Sequence, residues 1–295
     1  MMEIPSTVYT HAGKFHADDV FSTALLRLLR PELKVIRTAA LPENFEGFAF
    51  DIGWGAYDHH QKDAPVRENG VPYAAFGLLW KNLGEQLVGE EWQRFDEHFI
   101  QPLDLEDNTG CGHPLAAAIA SFNPLWDSQE DPNENFERAV TVASAILERR
   151  IAEVNGIRRA KAVVEQAIEQ MQDGIVVLDR YAPWKQFVVQ TDALFVVSPS
   201  QRGGFSAQAV PVSAQDNALR LPFPAEWAGQ SAEQLLPQQP FSDFGGQSCR
   251  CHRCLQTDPT AEPIKQSRKL NRHRKGKSSD ACFYFVSSCS SRSAV

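Results

Sequence analysis

Within its first 60 residues the chain gathers His11, His16, Asp18, Asp19, Asp51, Asp58, His59 and His60 into two segments, THAGKFHADD and FDIGWGAYDHH. Imidazole and carboxylate without thiolate suit a hard or borderline divalent cation: Mn²⁺ first, with Mg²⁺ or Co²⁺ less favoured by so many histidines. The candidate ligands exceed the need of one ion. A shared carboxylate, for which Asp51 is the candidate, would hold two ions about 4 Å apart, a pair that activates a water and neutralises a phosphoryl oxygen. The chemistry expected is phosphoester hydrolysis, with Asp107 of DLEDN as a further ligand and Asp104 as a structural residue. Gly53 and Gly55 would let backbone or a substrate phosphate come close.

Those residues must be positioned by the elements around them. STVYTH (6–11) alternates as a strand, ADDVFSTALLRLLR (17–30) has helical spacing before Pro31, and LKVIRT (33–38) and GFAFDIG (47–53) read as two further strands. Strand and helix alternation predicts an α/β fold with a parallel sheet covered by helices. His11 and Asp51 then fall at strand C-terminal ends, where such sheets bind ligands and where Asp18 can join them. Further helices are expected in 73–87, 90–100 and 114–122. One long helical pattern runs over 133–172, with Gly156 as a candidate kink and Gly174 as its end. Beyond it IVVLD, FVVQ, ALFVVS and FSAQAVPV read as strands of a smaller mixed α+β domain. The organisation expected is a metal-binding catalytic domain (1–132), a connecting helix (133–172), a substrate-binding domain (173–240) that closes over the cleft, and a tail (241–295).

The apolar fraction of 43% and charged fraction of 22% are those of a globular protein, and no stretch has the roughly 18 unbroken apolar residues of a membrane span. No membrane partner is expected. The start, MMEIPSTVYTH, lacks the features of a secretory or mitochondrial leader, so a cytoplasmic location is the expectation. The net charge of −8 is unevenly spread: from Phe241 onward ten Lys or Arg face four Asp or Glu, so the tail carries +6 and the first 240 residues −14. An acidic body disfavours long duplex nucleic acid and suits carboxylates gathered around cations. Cys111 is the sole cysteine before the tail, which excludes a disulfide framework there. The tail itself is Ser-rich and basic without apolar periodicity, and is expected to be disordered. Its CRCHRC has no second close pair to complete a zinc site.

The segments THAGKFHADDVFS, FDIGWGAYDHHQ and LDLEDN, followed in order by DRYAPWK, FVVSPSQRGGFSAQAVPV and LRLPFPAEWAG, resemble the melanocyte proliferating gene one family, a branch of the DHH phosphoesterases. The resemblance covers roughly residues 6–236 and implies a metal-dependent phosphodiesterase with 3′ to 5′ RNA exonuclease activity. It implies a first metal held by His11 or His16 with Asp18 and Asp51. It implies a second held by Asp51, His59 and Asp107, with His60 left to meet the substrate phosphate. Asp58 would orient His59 from behind, and Asp19 would stand beside it as a supporting residue. After LRLPFPAEWAG the likeness stops, and the tail reads as an out-of-frame or otherwise non-native ending. In the second domain Arg202, followed by Gly203 and Gly204, is the best candidate for holding a phosphate, ahead of Lys185 and Arg220. The expected substrate is single-stranded RNA or a short oligonucleotide. The alternatives are a small-nucleotide phosphatase or pyrophosphatase, and a metal-binding protein without activity.

Overall fold

The structure is a computed structural model that describes residues 3–201, 203–214, 216 and 218–227, together with the strand 283–285. The expected disorder of 241–295 concerns residues outside that set except at this strand. By internal contacts the chain divides into two units, residues 1–155 and 156–295. The fold is α/β, with the parallel pair, the long helix and the mixed sheet that the sequence predicts.

In the first unit β1 (Thr7–His11) pairs in parallel with β2 (Lys34–Thr38), and α1 (Ala17–Leu29) connects them as a crossover. The buried face of α1 carries Val20, Phe21, Ala24 and Leu25, spaced to line one side of a helix. The third expected strand contracts to a single parallel bridge between Tyr9 and Ala49, held by Tyr9 N–H to the Phe48 carbonyl and Phe50 N–H to the Tyr9 carbonyl, both 3.0 Å. The ladder stops there because Asp51 turns to φ 56° and Trp54 to φ 55°, left-handed values that no strand continues through.

Next come α2 (Ala75–Val88), α3 (Trp92–Phe95), a π-turn (Asp96–Ile100), α4 (Gln101–Thr109) and α5 (Pro114–Ala120). The π-turn precedes Pro102, which has no N–H to give the preceding turn. The core of this unit joins Phe21, Phe50, Phe76, Trp80 and Ile100 to the first half of α6 (Pro132–Glu169) through Phe136, Val140 and Leu147. At 38 residues α6 is about 57 Å long, and it runs through Gly156 without a break.

In the second unit β3 (Ile175–Val177) lies parallel to β4 (Phe195–Pro199). Strand β5 (Phe205–Ala209) is antiparallel to β4, and β6 (Phe283–Phe285) antiparallel to β5. The expected strand FVVQ is instead α7 (Lys185–Val188), where the Trp184 carbonyl accepts from Phe187 and Val188 N–H. Local hydrogen bonding and the burial of Trp184 and Val188 override the β preference of two valines. Among the described residues no helix is long and apolar enough to cross a membrane.

Candidate metal centre

Three places in the first unit deliver the centre: the end of β1 with the start of α1, the left-handed turn after Phe50, and the last turn of α4. Asp18 and Asp19 occupy the first turn of α1, where the helix N-terminus favours negative charge. They are adjacent, so about 100° of helical rotation aims them in different directions. Asp19 is tied by its Oδ1, which accepts from the His16 backbone N–H at 2.9 Å, and its Oδ2 faces His11 Nε2 at 3.1 Å. Asp18 faces the other way, with Oδ2 3.6 Å from His59 Nε2.

Asp51 stands between the two. Its Oδ2 is 3.1 Å from His11 Nε2 and its Oδ1 is 3.2 Å from His59 Nε2. Asp107 completes the second side, with Oδ2 3.2 Å from His59 Nε2 and Oδ1 3.5 Å from His16 Nδ1. Three groups among the described residues could therefore hold metal ions: His11, Asp19 and Asp51; Asp51, His59 and His60, which shares Asp51 with the first; and His16, Asp18 and Asp107.

The donor atoms fit that use. Both oxygens of Asp18, Asp19 Oδ2, Asp51 Oδ1 and His59 Nε2 are buried with no hydrogen-bond partner in the protein. Orphaned buried carboxylates are costly, and coordination of a cation is one of the few ways to satisfy them. The close approaches of His59 Nε2 thus have ion-pair length without hydrogen-bond alignment, as expected of ligands aimed at a common point. Burial is the largest influence on His11 and His59 and would keep both neutral, but the facing carboxylates outweigh it and raise each to about 10. Burial pushes Asp51 upward too, yet His11 and His59 hold it down at about 2. Burial, then Asp51, Asp107 and Asp19, drives Asp18 well above the carboxylate range, and burial raises Asp19 against the pull of His11. That Asp18 and Asp19 as well as both imidazoles hold protons so tightly marks a site short of positive charge, which divalent ions could supply.

Backbone and amide groups fix which imidazole nitrogen faces inward. His11 Nδ1 lies 3.1 Å from the Ala12 carbonyl, an acceptor, so in the neutral ring that a metal would require the proton belongs on Nδ1 and the lone pair on Nε2. Asn108 does the same for His59: its amide donates to the Tyr73 and Asp104 carbonyls at 3.1 and 2.8 Å, leaving its Oδ1 to accept from His59 Nδ1 at 3.3 Å. Asp58, expected to orient His59, orients His60 instead. Its Oδ1 accepts from His60 Nδ1 at 2.7 Å and from the backbone N–H of His59 and His60, while its Oδ2 accepts from Trp54 N–H at 2.7 Å. With Nδ1 engaged and its side chain 55% exposed, His60 has Nε2 available for a group outside the protein.

Asp19 too stands elsewhere than the resemblance implied. Expected as a supporting residue, Asp19 faces His11 directly, and Asp18, expected with His11 or His16, groups with His16 and Asp107 rather than with His11. Helical phase explains both. Asn108 is absent from the residues expected at the site, since a neutral amide carries no signature of a metal centre; its only signal is adjacency to Asp107.

One turn before Asp107 on α4, Asp104 belongs to a buried ion triad with Arg67 and Asp96. Arg67 donates to Asp96 through Nε and Nη2 at 2.8 and 2.7 Å and to Asp104 Oδ2 through Nη2 at 2.7 Å, while Asp104 Oδ1 accepts from Gly77 N–H at 3.1 Å. A cavity of about 230 Å³ opens beside His16 and Asp107 among Ala17, Leu103, Ala116 and Ala120. In the second unit Gly203 and Gly204, at φ 93° and 66°, make the turn between β4 and β5, and Arg202 lies outside the described residues. Arg220 is committed to the backbone, donating to the Ala193 and Val189 carbonyls at 2.8 and 2.6 Å.

Compared with known families, residues 7–244 match the model of MYG1_exonuc, described as an uncharacterised protein family (UPF0160). The chain belongs to this family. Among MYG1 relatives it is similar to the human MYG1 exonuclease, 29% identical over 78% of this chain and 77% of that protein. The Dictyostelium discoideum MYG1 protein is 25% identical over 78% of this chain and 85% of its own length, and the Saccharomyces cerevisiae MYG1 protein YER156C is 23% identical over 77% and 85%. No solved structure matches the chain. The MYG1 match takes in every ligand candidate from His11 to Asp107 and ends close to where the composition changes at Phe241.

Proposed function

We propose that this chain is a metal-dependent phosphodiesterase that shortens single-stranded RNA or short oligonucleotides from one end, using two divalent ions, Mn²⁺ by preference. The observation that carries the reading is Asp51: one carboxylate presents Oδ2 to the His11 and Asp19 side and Oδ1 to the His59 side, the arrangement a bridging ligand requires. The names of the human and bovine relatives, both MYG1 exonuclease, point the same way.

His11, Asp19 and Asp51 would hold one ion, and Asp51, His59, Asp18 and Asp107 the other, with His16 at the edge. Bound ions supply an activated water and neutralise charge on the phosphoryl oxygens. The protein's own groups do the rest. Asn108 and the Ala12 carbonyl keep His59 and His11 in the tautomer that offers Nε2 inward. Asp58 holds His60 so that its exposed Nε2 can donate to a non-bridging phosphate oxygen as charge develops there. The acidic surface selects against long duplexes, and a strand end needs little contact area.

The test uses purified protein, Mn²⁺ and an end-labelled short RNA, with Asp51→Asn as control. Asparagine tolerates the φ of 56° at this position, so the substitution removes charge without disturbing the turn. The expected result is a ladder shortening from one end, and in the Asp51→Asn protein a loss of about 10³-fold, the scale on which removal of a charge-stabilising group acts. Cleavage that persists in the variant or in excess chelator would rule out the two-metal scheme, and hydrolysis of mononucleotides alone would redirect the substrate assignment to small nucleotides.

A further inference from the structure

The loop that joins Asp51 to the Asp-His-His segment contains a tryptophan with no structural duty. Trp54 is 76% exposed, although large aromatics are normally covered. Its φ of 55° is left-handed, a conformation suited to Gly or Asn and strained for a bulky side chain. Among the described residues no hydrogen bond or ring contact engages the indole. The loop's apolar anchoring is provided elsewhere: Tyr57 stacks on Phe48 with ring centroids 5.0 Å apart, and Gly53 sits so close to Leu41 that a Cβ there would lie 2.3 Å from its Cδ1. Around neighbouring Gly55 there is nothing within 4 Å of where a side chain would begin.

The backbone of Trp54 is nevertheless tied to the centre. Its N–H donates to Asp58 Oδ2 at 2.7 Å, the other oxygen of Asp58 accepts from His60 Nδ1 at 2.7 Å, and His60 Nδ1 lies 3.6 Å from Asp51 Oδ1. One carboxylate thus fixes the ring proposed to meet the phosphate and the backbone that displays the indole. We infer that Trp54 is a stacking platform for the nucleobase next to the scissile phosphate, an inference that rests on the nuclease reading above. A base is joined to its phosphate through a single sugar, and the exposed ring belongs to a residue whose backbone is bonded to the same carboxylate that holds His60. The glycines and alanine beside Trp54 offer no wider apolar patch of the kind a protein partner needs. Stacking also tolerates every base, which suits an enzyme that removes nucleotides in succession.

The experiment compares wild type, Trp54→Asn, Trp54→Ala and Trp54→Phe in Mn²⁺ on a short RNA and on the same strand with an abasic terminal nucleotide. Asparagine accommodates the left-handed turn, so loss of the indole is separated from collapse of the loop; unchanged Mn²⁺ binding verifies this. Truncation should raise KM on the normal strand about 5- to 150-fold, with kcat little altered, and phenylalanine should restore most of it. On the abasic strand the wild type should already show the penalty and the variants should add none. Equal KM for Trp54→Asn and wild type on normal RNA, or equal losses on both strands, would overturn the stacking role while leaving the nuclease assignment standing. A wild type that neither binds nor cleaves RNA would overturn both.

Discussion

At the scale of single residues, the centre depends on groups that carry no charge as much as on those that do. Asn108 contributes nothing to a count of ligands, yet its amide chooses which nitrogen of His59 can coordinate. Asn108→Ala is therefore expected to weaken Mn²⁺ binding about 10- to 100-fold with little change in melting temperature of the metal-free protein, measured by calorimetric titration. Unaltered affinity would show that His59 is set by its other neighbours. The sequence displays the ligand types plainly, because Asp and His beside glycine at strand ends have few structural uses. It does not display their pairing. Whether Asp18 or Asp19 faces His11 depends on the phase of α1, and the true partner of Asp58 depends on a turn through Asp51 and Trp54 whose left-handed backbone no residue type announces.

Among elements, the link between α2 and α4 is made by the buried Arg67, Asp96 and Asp104 triad, packed against a helical glycine. A Cβ at Gly77 would fall 1.9 Å from Asp104 Oδ2 and 2.5 Å from Arg67 Nη2. Helix propensity alone would make Gly77→Ala stabilising by about 1 kcal/mol. The clash reverses the sign: separating a buried pair costs about 3–5 kcal/mol, and Asp107, one turn beyond Asp104, should lose its position as well. At Gly156 in α6 the nearest atom is Arg159 Nη2 at 3.8 Å, so Gly156→Ala should stabilise by about 0.5–1 kcal/mol. Denaturant melts of the two variants give opposite shifts if this account holds; stabilisation by both would refute it. Helix periodicity makes α1, α2, α5 and α6 legible in the sequence. The shrunken third strand and the replacement of a strand by α7 are not legible there, because both follow from contacts made only in the folded chain.

On the scale of the whole molecule, among the described residues the hydrophobic core of the first unit shares no residue with the two clusters of the second. The first ends within α6 at Leu147, with Ile151 and Val154 packed against it, and the second begins at Ala160. A fragment of residues 1–155 should consequently fold alone with a cooperative melt and bind Mn²⁺ within a few-fold of the full chain, as calorimetry and circular dichroism would report. A fragment that is unfolded, or folded without metal affinity, would show that the second unit helps to build the centre. RNA cleavage should fall in the fragment if the second unit has the substrate-binding role expected from the sequence, and unchanged cleavage would remove that role.

Every ligand candidate lies between His11 and Asp107, and the core beneath them closes by Leu147. That order has a consequence for synthesis. Chains emerge from the ribosome N-terminus first, at about 5–20 residues per second, and domains fold as units when their last core residue appears. If the centre holds metal as proposed, its ligands can be assembled while the second half of the protein is still being translated. Whatever the downstream reading frame supplies after that moment, the half that carries the candidate ligands is already committed.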